Sequence, residues 1–191
     1  MARWEPGTRD RLAAAALDLV AAQGFDATST AQIAAAAGLS ERTFFRHFDD
    51  KREALFAGSE LFEASFVDAI AAAPVEASPF EMVTVALDGA AEFFDRGRRA
   101  HAVRRAAVIA GHSALREREL LKLAALARTV AGALREHGVP DPDAALAAES
   151  CVTVFRIAFE RWLRNDEARD LADIQTEVLA GLRTLAAPRA T

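Results

Sequence analysis

Apolar residues recur every three to four positions along most of this chain, with polar residues between them. That spacing predicts amphipathic helices. Leu12, Ala16, Leu19 and Val20 mark one face of a first helix, which Thr8 can cap and Gly24 closes. Thr30 can cap a short second helix carrying Ile33 and Ala34, and Gly38 breaks it. Ser40 can cap a third helix from Glu41 to about His47. Asp50 with Glu53 forms a capping-box pattern for a long fourth helix, running through Leu55, Phe56, Phe62, Phe66 and Ile70 until Pro74 stops it.

The second half continues the pattern. Ser78-Pro79-Phe80-Glu81 is a strong helix start: a capping serine, proline at the first position and glutamate at the third. Phe80, Val83, Leu87, Ala90 and Phe94 share one face, and Gly97 is expected to end that helix. A basic helix follows from Arg98 to Ala110. Another runs from Ser113 towards Gly138, a further one starts at Asp141-Pro142, and Asp170 opens the last. Leu171, Ile174, Val178, Leu182 and Leu185 form its apolar stripe. There is no alternating run of β-branched residues, and the one hairpin-like dipeptide, Asp88-Gly89, lies inside a helical stripe. The reading is an all-α chain of about nine helices. It divides into residues 1–50, a connecting helix over 51–74, and a larger helical domain over 75–191.

Composition sharpens this picture. The 191 residues suit one large or two small domains, and 52% hydrophobic with 27% charged residues reads as globular. No apolar run approaches the roughly 20 residues that span a bilayer, and residues 1–10 lack the apolar core of a secretory signal. A cytoplasmic protein without membrane partners is expected. Cys151 is the lone cysteine, in an apolar stretch, and reads as a buried small hydrophobe. It excludes an internal disulfide and any multi-cysteine metal site. His101 and His112 lack further ligands, so no metal is expected, and no cofactor motif is present.

The net charge of −5 argues against nucleic acid unless positive charge is localised. It is localised over Arg42 to Arg52, which hold four Arg or Lys, one His and two Asp. This patch lies within residues 28–55, whose physics is that of a helix-turn-helix. Ala34 to Ala37 let two short helices cross closely, Gly38 permits the sharp turn, and Leu39 plugs the core beneath it. Phe44 and Phe48, four apart, face inward; Arg42, Thr43, Phe45, Arg46 and His47 are left outward.

Gly24-Phe25, Thr28 to Thr30, Ile33-Ala34, Ala37-Gly38-Leu39-Ser40, Thr43-Phe44-Phe45, His47-Phe48 and Lys51 to Leu55 together resemble the TetR family of bacterial repressors. The resemblance covers about residues 8–56. It implies that Thr30 contacts a phosphate, that Thr43 contacts backbone or a base edge, and that His47 and Lys51 hold phosphates. Phe45 stands where the family often has Tyr, and lacks the hydroxyl. Arg42 and Arg46 are the candidates for base reading, since Arg binds guanine O6 and N7 bidentately. Without the surrounding pattern they would read as solvated helix charges.

By the same resemblance the larger domain dimerises through its last two long helices and holds a small-molecule effector. The apolar stretch from Cys151 to Leu163 and Gly181 fit such an interface. Phe93, Phe94, Val108, Phe155, Phe159 and Trp162 are the pocket candidates, with plain core as the rival. The expected function is a ligand-responsive repressor that binds a palindromic operator as a homodimer. A ligand-independent dimeric regulator is the alternative. An all-helical enzyme is more remote, because no nucleophile, metal or phosphate-loop motif appears.

Overall fold

A computed structural model describes residues 7–94 and 96–187. Over these the chain is helical throughout, with ten helices and no strand. They are α1 (Thr8–Gln23), α2 (Thr30–Ala36), α3 (Glu41–His47), α4 (Lys51–Leu55) and α5 (Ser59–Ala71), then α6 (Pro79–Phe93), α7 (Arg96–Ala110), α8 (Ser113–Glu136), α9 (Asp143–Trp162) and α10 (Leu171–Ala186). None of the described helices is long and apolar enough to cross a membrane. The chain packs as two compact units. Among the described residues, one comprises those up to Glu60 together with His101–Leu120; the other comprises those of Leu61–Ala100 and from Leu121 onward.

The first unit is built on local signals that close one core. Leu12, Ala16, Leu17 and Val20 of α1 are buried with Ile33, Ala34, Phe44, Phe48, Leu55 and Phe56. Each large side chain buried this way contributes roughly 1.5–3 kcal/mol. Ile109 and Leu115, from the end of α7 and the start of α8, complete the same core. Ser40 and Asp50 cap α3 and α4 as their positions suggest. The N-cap of α1 is Gly7, with Thr8 already inside the helix, and the cap of α2 is Ser29, not Thr30. Ser29 accepts from the Gln32 backbone while the Gln32 side chain accepts from the Ser29 N–H, a reciprocal pair that displaces the neighbouring hydroxyl.

The single long fourth helix does not exist. It is two helices, α4 and α5, separated at Phe56–Gly58. Gly58 has φ +87°, a conformation that side chains with a Cβ rarely adopt. The stripe from Leu55 to Ile70 looks continuous in sequence, but it serves two cores. Leu55 and Phe56 are buried in the first unit. Phe66 and Ile70 are buried in α5, in the segment that belongs to the second.

In the second unit, α6 packs on α9 and α10, and α9 packs on α10. Ser78 and Glu81 form the expected reciprocal cap of α6. Gly89 sits where α6 crosses α5. A Cβ there would lie 2.6 Å from the Ser65 carbonyl oxygen, so only glycine permits this approach. The helix ends at Phe93, earlier than Gly97, which lies inside α7. Phe94 leaves the helical path, and both phenyl rings then meet Phe62, at 5.4 and 5.3 Å between centroids. Cys151 is buried, and burial pushes its thiol up to about 12, so it packs as an unreactive small hydrophobe. On α10, Leu171, Ile174 and Leu179 are buried, but Leu185 is 86% exposed.

Candidate nucleic-acid interface

The turn between α2 and α3 is closed by main-chain bonds from Gly38 to the Ala35 carbonyl and from Leu39 to the Ala34 carbonyl, 3.0 and 2.8 Å long. Ser40 Oγ accepts from the Thr43 N–H at 3.2 Å, and lies 2.9 Å from Thr43 Oγ1. This fixes the first turn of α3. Phe44 and Phe48 point into the core, which fixes the rotation of the helix. The opposite face therefore carries Arg42, Phe45 and Arg46, all exposed. They stand at positions i, i+3 and i+4, so they form one contiguous surface. Among the described residues, neither Arg42 nor Arg46 enters an ion pair. Phe45 meets Phe44 edge-to-face, with centroids 5.5 Å apart and planes at 87°.

The remaining residues of the sequence-based set lie around this surface with different engagements. Thr43 and His47 are half-buried. His47 Nε2 is enclosed and has no hydrogen-bond partner. Thr30 Oγ1 donates to Glu41 Oε1 at 2.5 Å and so ties the start of α2 to the start of α3. Lys51 is engaged within the protein. Its Nζ donates to the carbonyls of Phe25 and Thr28 at 2.7 and 2.8 Å, and lies 4.2 Å from the Phe25 ring centroid. Two of its three ammonium protons are thus committed to the α1–α2 loop. That loop is further held by Thr28 Oγ1, which donates to the Gly24 carbonyl at 2.8 Å.

Several supporting residues carry no sequence signal. Glu53 of α4 accepts from Arg118 Nε of α8 at 2.6 Å. His112, between α7 and α8, lies 3.2 Å from Asp26, with its ring 4.6 Å from that of Phe25. Arg104 pairs with Asp18. These partners are 65 or more residues apart, beyond any local pattern.

The pocket candidates do not all meet. Phe93, Phe94, Phe155, Phe159 and Trp162 form one aromatic cluster in the second unit, joined by Phe62 and Phe66, which the sequence reading left out of the set. Centroid separations of 4.7 to 6.2 Å are those of rings in direct contact. Val108 is elsewhere. It is half-buried against the core of the first unit, since α7 is divided between the two units at Ala100. The basic run on α7 is tied into the fold at Arg99. Arg99 donates to the carbonyls of Trp162, Arg164 and Glu167 at 3.0, 2.8 and 2.7 Å, closing the C-terminal end of α9.

Residues 12–57 match the family model for bacterial regulatory proteins of the tetR family. Residues 77–187 match the model of the MftR C-terminal domain. The HTH-type transcriptional regulator TcmR of Streptomyces glaucescens is 36% identical over 77 residues, a stretch that is 40% of this chain and 34% of that relative's length. Among solved structures, a TetR-family transcriptional regulator from Syntrophomonas wolfei aligns with a TM-score of 0.65 at 20% identity, covering 96% of this chain and 97% of the other. FadR of Thermus thermophilus, a TetR-family repressor in complex with lauroyl-CoA, aligns with a TM-score of 0.57 at 23% identity, covering 96% and 97%. The helix-turn-helix and the two family models agree: the chain belongs to the TetR family of bacterial transcriptional regulators.

Proposed function

We propose that this regulator is a ligand-responsive repressor that binds a palindromic operator as a homodimer. The observation that carries the DNA part is the outward face of α3, where Arg42 and Arg46 stand exposed and unpaired on a helix whose rotation is locked by Phe44. In this reading Arg42 and Arg46 read bases. Thr30, Thr43 and His47 contact the backbone. Lys51 shapes the α1–α2 loop that presents them. In this reading the first unit serves DNA, and the second dimerises and senses. No catalytic role is proposed.

Dimerisation is supported by apolar side chains left in water. Leu146 and Ile157 on α9 are 64% and 41% exposed, and lie eleven positions apart, hence on one face. Leu185 on α10 is exposed, and Gly181, one turn earlier, has open space where its Cβ would be. A second copy covering these helices would remove that surface from water. Effector sensing is supported by Gln175 of α10. Its side-chain amide is 2% exposed with neither Nε2 nor Oε1 bonded, within the unit that also holds the aromatic cluster. A buried amide left unpaired costs about 1–3 kcal/mol, so the site favours a molecule that offers a polar group within an otherwise apolar body. The direct contact among the rings is the observation that favours the ligand-independent alternative.

Selection of duplexes from a random library, with sedimentation of the free protein, tests the reading. The expected result is an enriched inverted repeat with half-sites about 34–36 Å apart, and a dimer at micromolar concentration. Enrichment of a single non-repeated site by a monomer would overturn it. For the effector, a compound that binds must prefer free dimer to operator-bound dimer. Equal affinity for both forms would remove that compound as the switch.

A further inference from the structure

We infer that Phe45 is a specificity residue that reads the C5-methyl group of a thymine in each half-site, next to a guanine read by Arg42 or Arg46. The inference rests on the DNA-binding reading above and adds to it what the ring recognises. Phe45 is 53% exposed, although it is a large apolar side chain on a short helix surrounded by charge. It carries no donor, so it cannot bond a phosphate as a hydroxylated ring could. Its orientation is held from behind by the edge-to-face contact with the buried Phe44. In front, Arg42 and Arg46 share its face.

The major groove offers one strongly apolar feature on a base edge, the thymine methyl. A ring that docks beside two guanidiniums can gain by excluding water only there or against sugar carbons. Sugars are common to every sequence, whereas the methyl belongs to one base. Arg prefers the O6 and N7 acceptors of guanine. The triangle of Arg42, Phe45 and Arg46 therefore matches a thymine and a guanine on neighbouring steps of the groove.

The test starts from the selected operator. Each thymine is replaced singly by deoxyuridine, which deletes only the methyl, and affinities are measured for the wild type and for Phe45→Ala. The wild type is expected to lose affinity about fourfold at one thymine position per half-site, or about fifteenfold when both half-sites are changed, as one buried carbon implies. Phe45→Ala should bind the thymine operator more weakly, be indifferent to deoxyuridine at that position, and melt like the wild type. The wild type should be indifferent to deoxyuridine elsewhere. An operator bound with no methyl-sensitive thymine overturns the inference and leaves the DNA-binding reading intact. So does a Phe45→Ala variant that stays as methyl-sensitive as the wild type. A chain that enriches no duplex overturns both.

Discussion

Arg105 Nε donates to the Leu55 carbonyl at 2.9 Å, and its guanidinium lies 4.7 Å from the centre of the Phe56 ring. Leu55 is the last residue of α4, a helix of only five residues. Such a helix leaves its final carbonyls without intrahelical partners and has little stability of its own. Asp50 caps its start, Arg118 grips Glu53, and Arg105 closes its end. The short helix is held from outside because the break at Gly58 removed the turns that would have held it from within.

Replacing Arg105 with methionine keeps much of the stem and deletes the donor. The Leu55 carbonyl would then be shielded and unpaired, which costs about 1–3 kcal/mol. Burial lowers the Arg105 pKa, but from a value so high that the group stays charged at any working pH. The expected result is a lower urea midpoint with an unchanged slope. A midpoint equal to the wild type would mean that the contact contributes nothing.

Lys51 separates two roles that a DNA-binding assay alone would confuse. If it acts as the tie to the Phe25 and Thr28 carbonyls, Lys51→Met should lower thermal stability, by about 1–3 kcal/mol at the melting point. It should weaken DNA binding without changing the slope of log affinity against log salt. A slope shallower by about one with melting unchanged would assign Lys51 to a phosphate instead.

Two glycines inside helices should respond in opposite directions. Gly89→Ala forces a Cβ to within 2.6 Å of a backbone oxygen of α5, and should destabilise the second unit by about 1–3 kcal/mol. Gly132 of α8 has nothing within 4 Å of its would-be Cβ. Gly132→Ala should therefore stabilise by about 0.4–1 kcal/mol, through lower entropy of the unfolded chain. Differential scanning calorimetry on the pair reads both signs.

The loop between α9 and α10 carries an acid-sensitive contact. Hydrogen bonds from Arg169, aided by the charge of Arg161, hold the Glu167 carboxyl down at about 2, against 4.5 for the free group. A carboxylate with a lowered folded pKa adds stability that is complete above its unfolded value and is lost as pH falls through the folded one. The melting temperature should thus decline as pH drops from 4.5 towards 2. Glu167→Gln should flatten that part of the profile. High salt should shrink the difference, since these groups are near solvent. Equal pH profiles for the two proteins would show that the contact is not coupled to folding.

What was legible in the sequence was local. Ser40, Asp50 and Ser78 are caps because a hydroxyl or carboxylate two or three residues before the right N–H reaches it. The inward turn of Phe44 and Phe48 follows from spacing, and it alone decides which side chains of α3 face outward. The cap of α2 was legible too, since Gln32 stands three residues after Ser29 and only two after Thr30. The split of α4 from α5 was hidden because residues of two cores fell into one helical register. Lys51 with Phe25, Arg99 with Trp162 and Arg118 with Glu53 were out of reach, because nothing in a local period records a partner tens of residues away.

Thr30 has one hydroxyl proton, and in the free protein that proton already belongs to the Glu41 carboxylate. A phosphate oxygen can only accept. If Thr30 is to donate to the operator backbone, it must first let go of α3, and a carboxylate is then uncovered beside a polyanion. Docking at this corner is therefore an exchange of partners rather than an addition. If Thr30 meets the operator, the link would act as a latch: it ties the two short helices while the protein is free, and a duplex seated closely enough to offer a better acceptor would open it.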